Sequence, residues 1–147
     1  MKTRLDDDLK QAMRNRDAPR RDVIRLLRSA IRNEEIRVQK DLDDDAVVQV
    51  LSRQAQQRRD SIEAFTQGNR EDLADKERAE LEIIMGYMPQ QLSRDEIEDL
   101  VARTVAEVGA SGPGDMGKVM SVIMPQVRGR AEGREVSAAV MARLRAG

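Results

Sequence analysis

The chain has no cysteine, no histidine and no tryptophan. It carries one tyrosine, Tyr87, and one phenylalanine, Phe65. Each absence closes a class of chemistry. Without cysteine there is no disulfide framework, thiolate nucleophile, zinc finger or iron–sulfur cluster. Without histidine there is no Ser-His-Asp triad, no imidazole base and no His-ligated metal. A base-stacking surface of the RNA-recognition kind needs several aromatics, and two are too few. No apolar run approaches the roughly 20 residues of a membrane span. The first residues, Met1-Lys2-Thr3-Arg4, lead into Asp6-Asp7-Asp8 and lack the apolar core of a signal peptide. Together these absences predict a cytoplasmic protein that uses no membrane, no metal and no cofactor.

What is present is charge and helical periodicity. Charged residues make up 36% and apolar residues 39% of the 147 positions, so a packed core is within reach. The formal net charge is -1. That total predicts no global affinity for polyanions, yet it permits a local basic face.

Apolar residues recur at spacings of three and four nearly throughout. Leu5, Leu9, Ala12 and Met13 form one face of a helix over about 3–16. Asp17-Ala18-Pro19 is a helix start, an acid followed by proline near the first helical position. The helix over about 19–38 places Val23, Ile24, Leu26, Leu27, Ala30 and Ile31 on its apolar side. Asp43-Asp44-Asp45 opens a third helix, about 44–67, with the stripe Val47, Leu51, Ala55, Ile62 and Phe65. Gly68-Asn69 ends it in left-handed geometry. A fourth helix, about 70–87, buries Leu81, Ile84, Met85 and Met88.

Ser93-Arg94-Asp95-Glu96 reads as a capping box opening a fifth helix that Gly109 stops. A short helix from about Asp115 carries Met116, Val119, Met120, Val122, Ile123 and Met124, and Pro125 weakens its end. A last helix, about 134–145, turns Val136, Val140 and Leu144 inward. No segment alternates as a strand does. The expected fold is all-α: an N-terminal helical domain of about four helices over 1–90, and a small C-terminal three-helix domain over 91–147.

Four segments bear on chemistry. Gly112-Pro113-Gly114-Asp115-Met116-Gly117-Lys118 has the spacing of a phosphate-binding loop, but Val119 stands where Ser or Thr would hold Mg²⁺, and a helix precedes it instead of a strand. It reads as a loop into a helix, with Asp115 as N-cap. Asp43–Asp45 suits the positive end of a helix dipole better than a metal.

Two basic segments remain. Arg21, Arg25, Arg28 and Arg32 fall within an arc of roughly 60° on their helix, where guanidinium groups can follow phosphates. The other reading is a solvated face paired with acids such as Asp22 and Glu35. Arg128-Gly129-Arg130-Ala131-Glu132-Gly133-Arg134 sets three arginines around two glycines, which permit close backbone approach, with Lys118 a candidate companion. The other reading is a plain helix–helix turn. Met116, Met120 and Met124, at four-residue spacing, suit core filling.

Several segments together carry a resemblance. They are Arg25-Leu26-Leu27-Arg28-Ser29-Ala30-Ile31-Arg32-Asn33-Glu34-Glu35-Ile36, Arg59-Asp60-Ser61-Ile62-Glu63-Ala64-Phe65, Gly68-Asn69-Arg70-Glu71-Asp72-Leu73-Ala74, Glu77-Arg78-Ala79-Glu80-Leu81 and Tyr87-Met88-Pro89. In the C-terminal part Asp115-Met116-Gly117-Lys118-Val119-Met120 and Gly129-Arg130-Ala131-Glu132-Gly133 continue it. The chain resembles the GatB/YqeY family over almost its full length, specifically the stand-alone YqeY-like proteins. Met88 stands where the family usually has Leu, and Glu132 where Asp is common.

The resemblance implies an all-α protein whose C-terminal part is similar to the tail of the GatB subunit of tRNA-dependent amidotransferases. It also brings a family label, carbon–nitrogen ligase with glutamine as amido-N-donor. This chain shows no glutaminase nucleophile and no nucleotide loop, so no catalytic centre is visible. The resemblance implies a tRNA-associated accessory module. Its expected phosphate contacts are Lys118, Arg128, Arg130 and Arg134, with Arg21, Arg25, Arg28 and Arg32 as a second surface. The alternative is an adaptor for a protein partner without RNA contact, suggested by the apolar Met116–Met124 helix.

Overall fold

The computed structural model describes residues 1–146, and among them it is all-helical. The helices are α1 Lys2–Arg14, α2 Ala18–Val38, α3 Asp44–Gln67, α4 Glu71–Met85, α5 Arg94–Val108, α6 Met116–Val127 and α7 Gly133–Ala146. One 3-10 turn, Pro113–Asp115, precedes α6. The chain divides into two compact units, Met1–Met88 and a second beginning at Pro89.

Local chemistry sets most boundaries. The Asp17 side chain accepts the Arg20 N–H at 3.2 Å, with Pro19 in the first turn of α2. The Asp43 carboxylate accepts the Ala46 N–H at 2.9 Å, and Asp44 and Asp45 occupy the first turn of α3. Ser93 and Glu96 exchange both bonds of a capping box, each 3.1 Å. Gly109 closes α5 at φ 68°, a left-handed position that glycine takes without strain. At the end of α3 the left-handed residue is Asn69, φ 57°, whereas Gly68 stays at φ -84°.

The first unit packs α1–α4 around Leu5, Leu9, Val23, Ile24, Leu27, Ile31, Val47, Leu51 and Ile84, closed by Tyr87. On α2 the buried set differs from the expected apolar side. Val23, Ile24, Leu27 and Ile31 are buried, whereas Leu26 is 49% exposed. Successive residues turn by 100°, so Leu26 projects about 115° from the mean direction of the buried four. The stripe on α3 also ends early. Ile62 and Phe65 are half-buried, and no residue of α3 beyond Arg58 is fully buried.

The second unit packs α5, α6 and α7 around Ile97, Val101, Val119, Ile123, Val127, Val136, Val140 and Leu144. Met116, Met120 and Met124 are partly buried against that core, so they fill it. Helix α6 includes Pro125 and runs to Val127, so the weakened end still holds as helix. Proline removes one ladder bond. The turn is completed all the same, because it brings Val127 to full burial, and the Gln126 side-chain amide donates to the Val122 carbonyl at 3.1 Å.

Candidate anion-binding surfaces

The turn from α6 to α7 is built from backbone outward. Arg128 follows the last residue of α6, and Gly129 takes φ 75°. Arg130 N–H and Ala131 N–H both donate to the Val127 carbonyl, at 2.8 and 3.1 Å. The segment before α5 clasps this turn. Leu92 N–H donates to the Arg130 carbonyl at 2.8 Å, and the Gln91 side-chain amide donates to the Gly129 carbonyl at 2.8 Å.

The arginines of the turn therefore differ. Arg130 Nε donates to the Gln90 carbonyl at 3.3 Å, so this side chain braces the turn. Arg128 is exposed beside Gly129, and Arg134 is exposed in the first turn of α7. Lys118 is not gathered with them. It sits in the first turn of α6, ten residues before Arg128, which is about 15 Å of helix rise.

The loop-like segment before α6 has turned its acid to another use. The Asp115 carboxylate accepts the Ser111 N–H at 2.9 Å, and no side-chain cap joins it to α6. That bond to Ser111, ahead of the Lys118 charge, holds the Asp115 carboxyl below its ordinary pKa. Asp115 stands at the N-cap position of α6, as expected, but its side chain reaches back to residue 111 instead of bonding to the helix. A carboxylate held inside the loop also repels phosphate.

On α2 the arginine arc lies about 115° from the mean direction of the buried residues. It is thus on a flank of the helix, not on the pole away from the core. The start of α1 comes alongside that flank. A cleft of about 470 Å³ results, walled by Arg25, Arg28, Ser29 and Arg32 on one side and by Lys2 and Asp6 on the other, over Leu5 and Ile31. Arg21 does not line it. Arg21 turns instead to its neighbour Asp22, Nε to Oδ1 2.9 Å.

Two ion pairs cross the cleft. Arg28 Nε meets Asp6 Oδ1 at 2.8 Å, and Lys2 Nζ bonds to Glu35. Glu35 also accepts the Leu42 N–H at 2.9 Å, tying the loop before α3 to α2. The bond from Lys2, then that from Leu42, holds the Glu35 carboxyl below its usual pKa, and the same bond raises Lys2. Arg25 and Arg32 make no hydrogen bond or ion pair among the described residues.

Sequence reasoning found three of the cleft's cations and named Glu35 as an acid beside them, and it missed Lys2, Asp6 and Ser29. The signal was faint: Lys2 and Asp6 share a face of α1 at i,i+4, and only the packing of α1 on α2 gives that face a purpose.

Comparison with known proteins places the chain in a family. The family model described as Yqey-like protein matches residues 2–144. Curated relatives carry the name "Altered inheritance of mitochondria protein 41, mitochondrial". The one from Lachancea thermotolerans is 43% identical over 112 residues, 74% of this chain and 60% of that protein. Those from Pyrenophora tritici-repentis and Kluyveromyces lactis are 33% and 37% identical, over 87% and 74% of this chain. The aligned part of this chain spans 60% to 71% of these relatives' length.

These names overturn the expectation of a cytoplasmic protein, since the relatives are called mitochondrial. The physical reason is plain. Composition and packing of a helical domain do not encode its compartment, which address signals decide.

Proposed function

The chain belongs to the YqeY-like family, and from that premise we propose that it is an RNA-binding accessory module, with tRNA as the foremost ligand and no catalytic centre of its own. The observation that carries this reading is the braced turn between α6 and α7. Its backbone is held by residues 90–92, and Arg128 and Arg134 stand exposed on either side of it. Guanidinium groups suit bidentate contact with phosphate, and the start of α7 adds the positive end of a helix dipole. The resemblance to the GatB tail that the C-terminal motifs imply is a further ground for the same reading. Near-neutral total charge and two aromatics point to phosphate contact and shape rather than to base stacking.

The test is binding of tRNA across a series of salt concentrations. Arg128→Ala with Arg134→Ala is expected to weaken binding and to flatten the salt dependence by about one unit of slope per lost contact. Arg130→Ala acts through the shape of the turn, and Lys118→Ala changes binding little. Negligible affinity at low salt, or unchanged affinity in the double variant, overturns the proposal. Glutamine hydrolysis or ATP turnover by the purified chain would overturn the non-catalytic part.

A further inference from the structure

The cleft between α1 and α2 lies in the other unit and is not needed for the contacts just proposed. Its makeup is unusual for a solvated helix face. Four cations, Lys2, Arg25, Arg28 and Arg32, meet two carboxylates, Asp6 and Glu35, which leaves a local charge of +2. The carboxylates are committed. Asp6 holds Arg28, and Glu35 holds Lys2 and the Leu42 N–H.

Among the described residues Arg25 and Arg32 make no hydrogen bond or ion pair, although Glu35 feels the Arg32 charge, and they stand two turns apart on one face of α2. Ser29 lies between them, also exposed and lining the cleft. The ion pairs have a second effect. They anchor two of the cations in place, so a ligand meets a partly pre-formed field instead of four mobile side chains. The volume, about 470 Å³, is that of a small-molecule site. The cleft lies over Leu5 and Ile31, both buried in the core, and is flanked by the aliphatic stems of the arginines.

We infer that the α1–α2 cleft is a binding site for a phosphate monoester, its dianion held by Arg25 and Arg32 with Ser29 as a hydroxyl donor, and its organic part lying over Leu5 and Ile31. The local charge of +2 matches a monoester dianion better than a single-charged diester. The same chemistry has two sources, a free organic phosphate or the terminal phosphate of an RNA strand.

The experiment uses the full chain, isotope-labelled for NMR, titrated at low salt with phenyl phosphate. Saturable shifts are expected at Lys2, Ser29 and Arg32, with half-saturation on the order of 1 mM. Arg25→Gln with Arg32→Gln should weaken binding at least tenfold. Both side chains are exposed, and unchanged circular dichroism would show that the fold is kept. Arg128→Gln with Arg134→Gln should leave phenyl phosphate binding unchanged, which separates this site from the RNA reading above.

No saturation by about 10 mM, shifts spread over all exposed arginines, or full binding in the Arg25/Arg32 variant would overturn the inference. The source is read with two short oligonucleotides, one 5'-phosphorylated and one 5'-hydroxyl. Preference for the phosphorylated strand with shifts in the same cleft assigns an RNA end. Equal, weak binding of both strands beside saturable phenyl phosphate binding assigns a free ester. Either result upholds the site.

Discussion

The two units hold themselves together by different means. The N-terminal unit joins its helices with polar clasps laid over an apolar core. Lys2 meets Glu35, Arg28 meets Asp6, and the Tyr87 hydroxyl donates to Asp8. Arg4 lies over the Tyr87 ring, 4.6 Å from its centre, and donates to the Gly86 carbonyl. Arg58 is 8% exposed, 3.6 Å from Glu80, with its Nε lacking a hydrogen-bond acceptor. The C-terminal unit instead packs valine, isoleucine and leucine, and fixes its turn through backbone carbonyls. The first design makes a cleft whose walls carry fixed charge. The second makes a rigid turn that presents charge outward.

The largest test of that contrast is in the second unit. Ile123→Ala should destabilise it by about 2–5 kcal/mol, because the residue is fully buried and its cavity has few ways to collapse. Urea denaturation measures it. A loss under 1 kcal/mol would show a loosely packed core, on the same scale of cavity energies. Next is the buried cation of the first unit. Arg58→Ala should destabilise by about 3 kcal/mol, because Glu80 then loses its partner. Arg58→Met with Glu80→Met should recover most of that, since a buried pair contributes little net stability once its desolvation is counted. If the double variant stays as unstable as the single one, the clasp contributes more than that account allows.

Tyr87→Phe should cost about 1–2 kcal/mol by removing the bond to Asp8. The same tyrosine offers a spectroscopic readout, as it is the sole tyrosine in a chain without tryptophan. Burial, then the bond to Asp8, pushes its pKa up to about 12. The folded value is above the unfolded one, so this group's contribution is complete below about pH 10 and is lost as pH rises through about 12. Ultraviolet titration should show tyrosinate late and together with unfolding. Ionisation near pH 10 without unfolding would mean that the clasp is open.

Gly129→Ala should cost about 1 kcal/mol, since φ 75° is strained for any residue with a Cβ. It should weaken RNA binding if the shape of the turn matters. The smallest effect is at Glu35, whose folded pKa is lowered. Its contribution is present above the usual glutamate value and fades as pH falls through the lowered one. Glu35→Gln should therefore lower stability slightly at neutral pH and leave it nearly unchanged in acid, which flattens the acid limb of the stability curve.

Much of the helical order was legible because caps and periodicity act within a few residues. The Ser93–Glu96 box, the Asp43 cap and the Gly109 stop all lie where their local chemistry puts them. The misreadings have one cause. Leu26 looked inward because it is apolar, and Ile62 and Phe65 because their spacing continued a stripe. Burial depends on which helix lies opposite, and spacing along one helix does not say. Pro125 was read as weakening the end of its helix because its local penalty was visible, while the gain from burying Val127 was not.

The candidate surfaces divide in the same way. Arginines at i, i+3 and i+7 share a face by helix geometry alone, so Arg25, Arg28 and Arg32 were found without coordinates. So was the glycine-spaced turn after α6. That α1 delivers Lys2 and Asp6 to the flank of α2, and that residues 90–92 clasp the α6–α7 turn and commit Arg130, was decided by tertiary structure. Helix caps and faces follow from interactions three and four residues apart, which one strand of sequence displays. A cleft or a braced turn joins segments twenty to forty residues apart, and only the packing of apolar faces selects which segments meet.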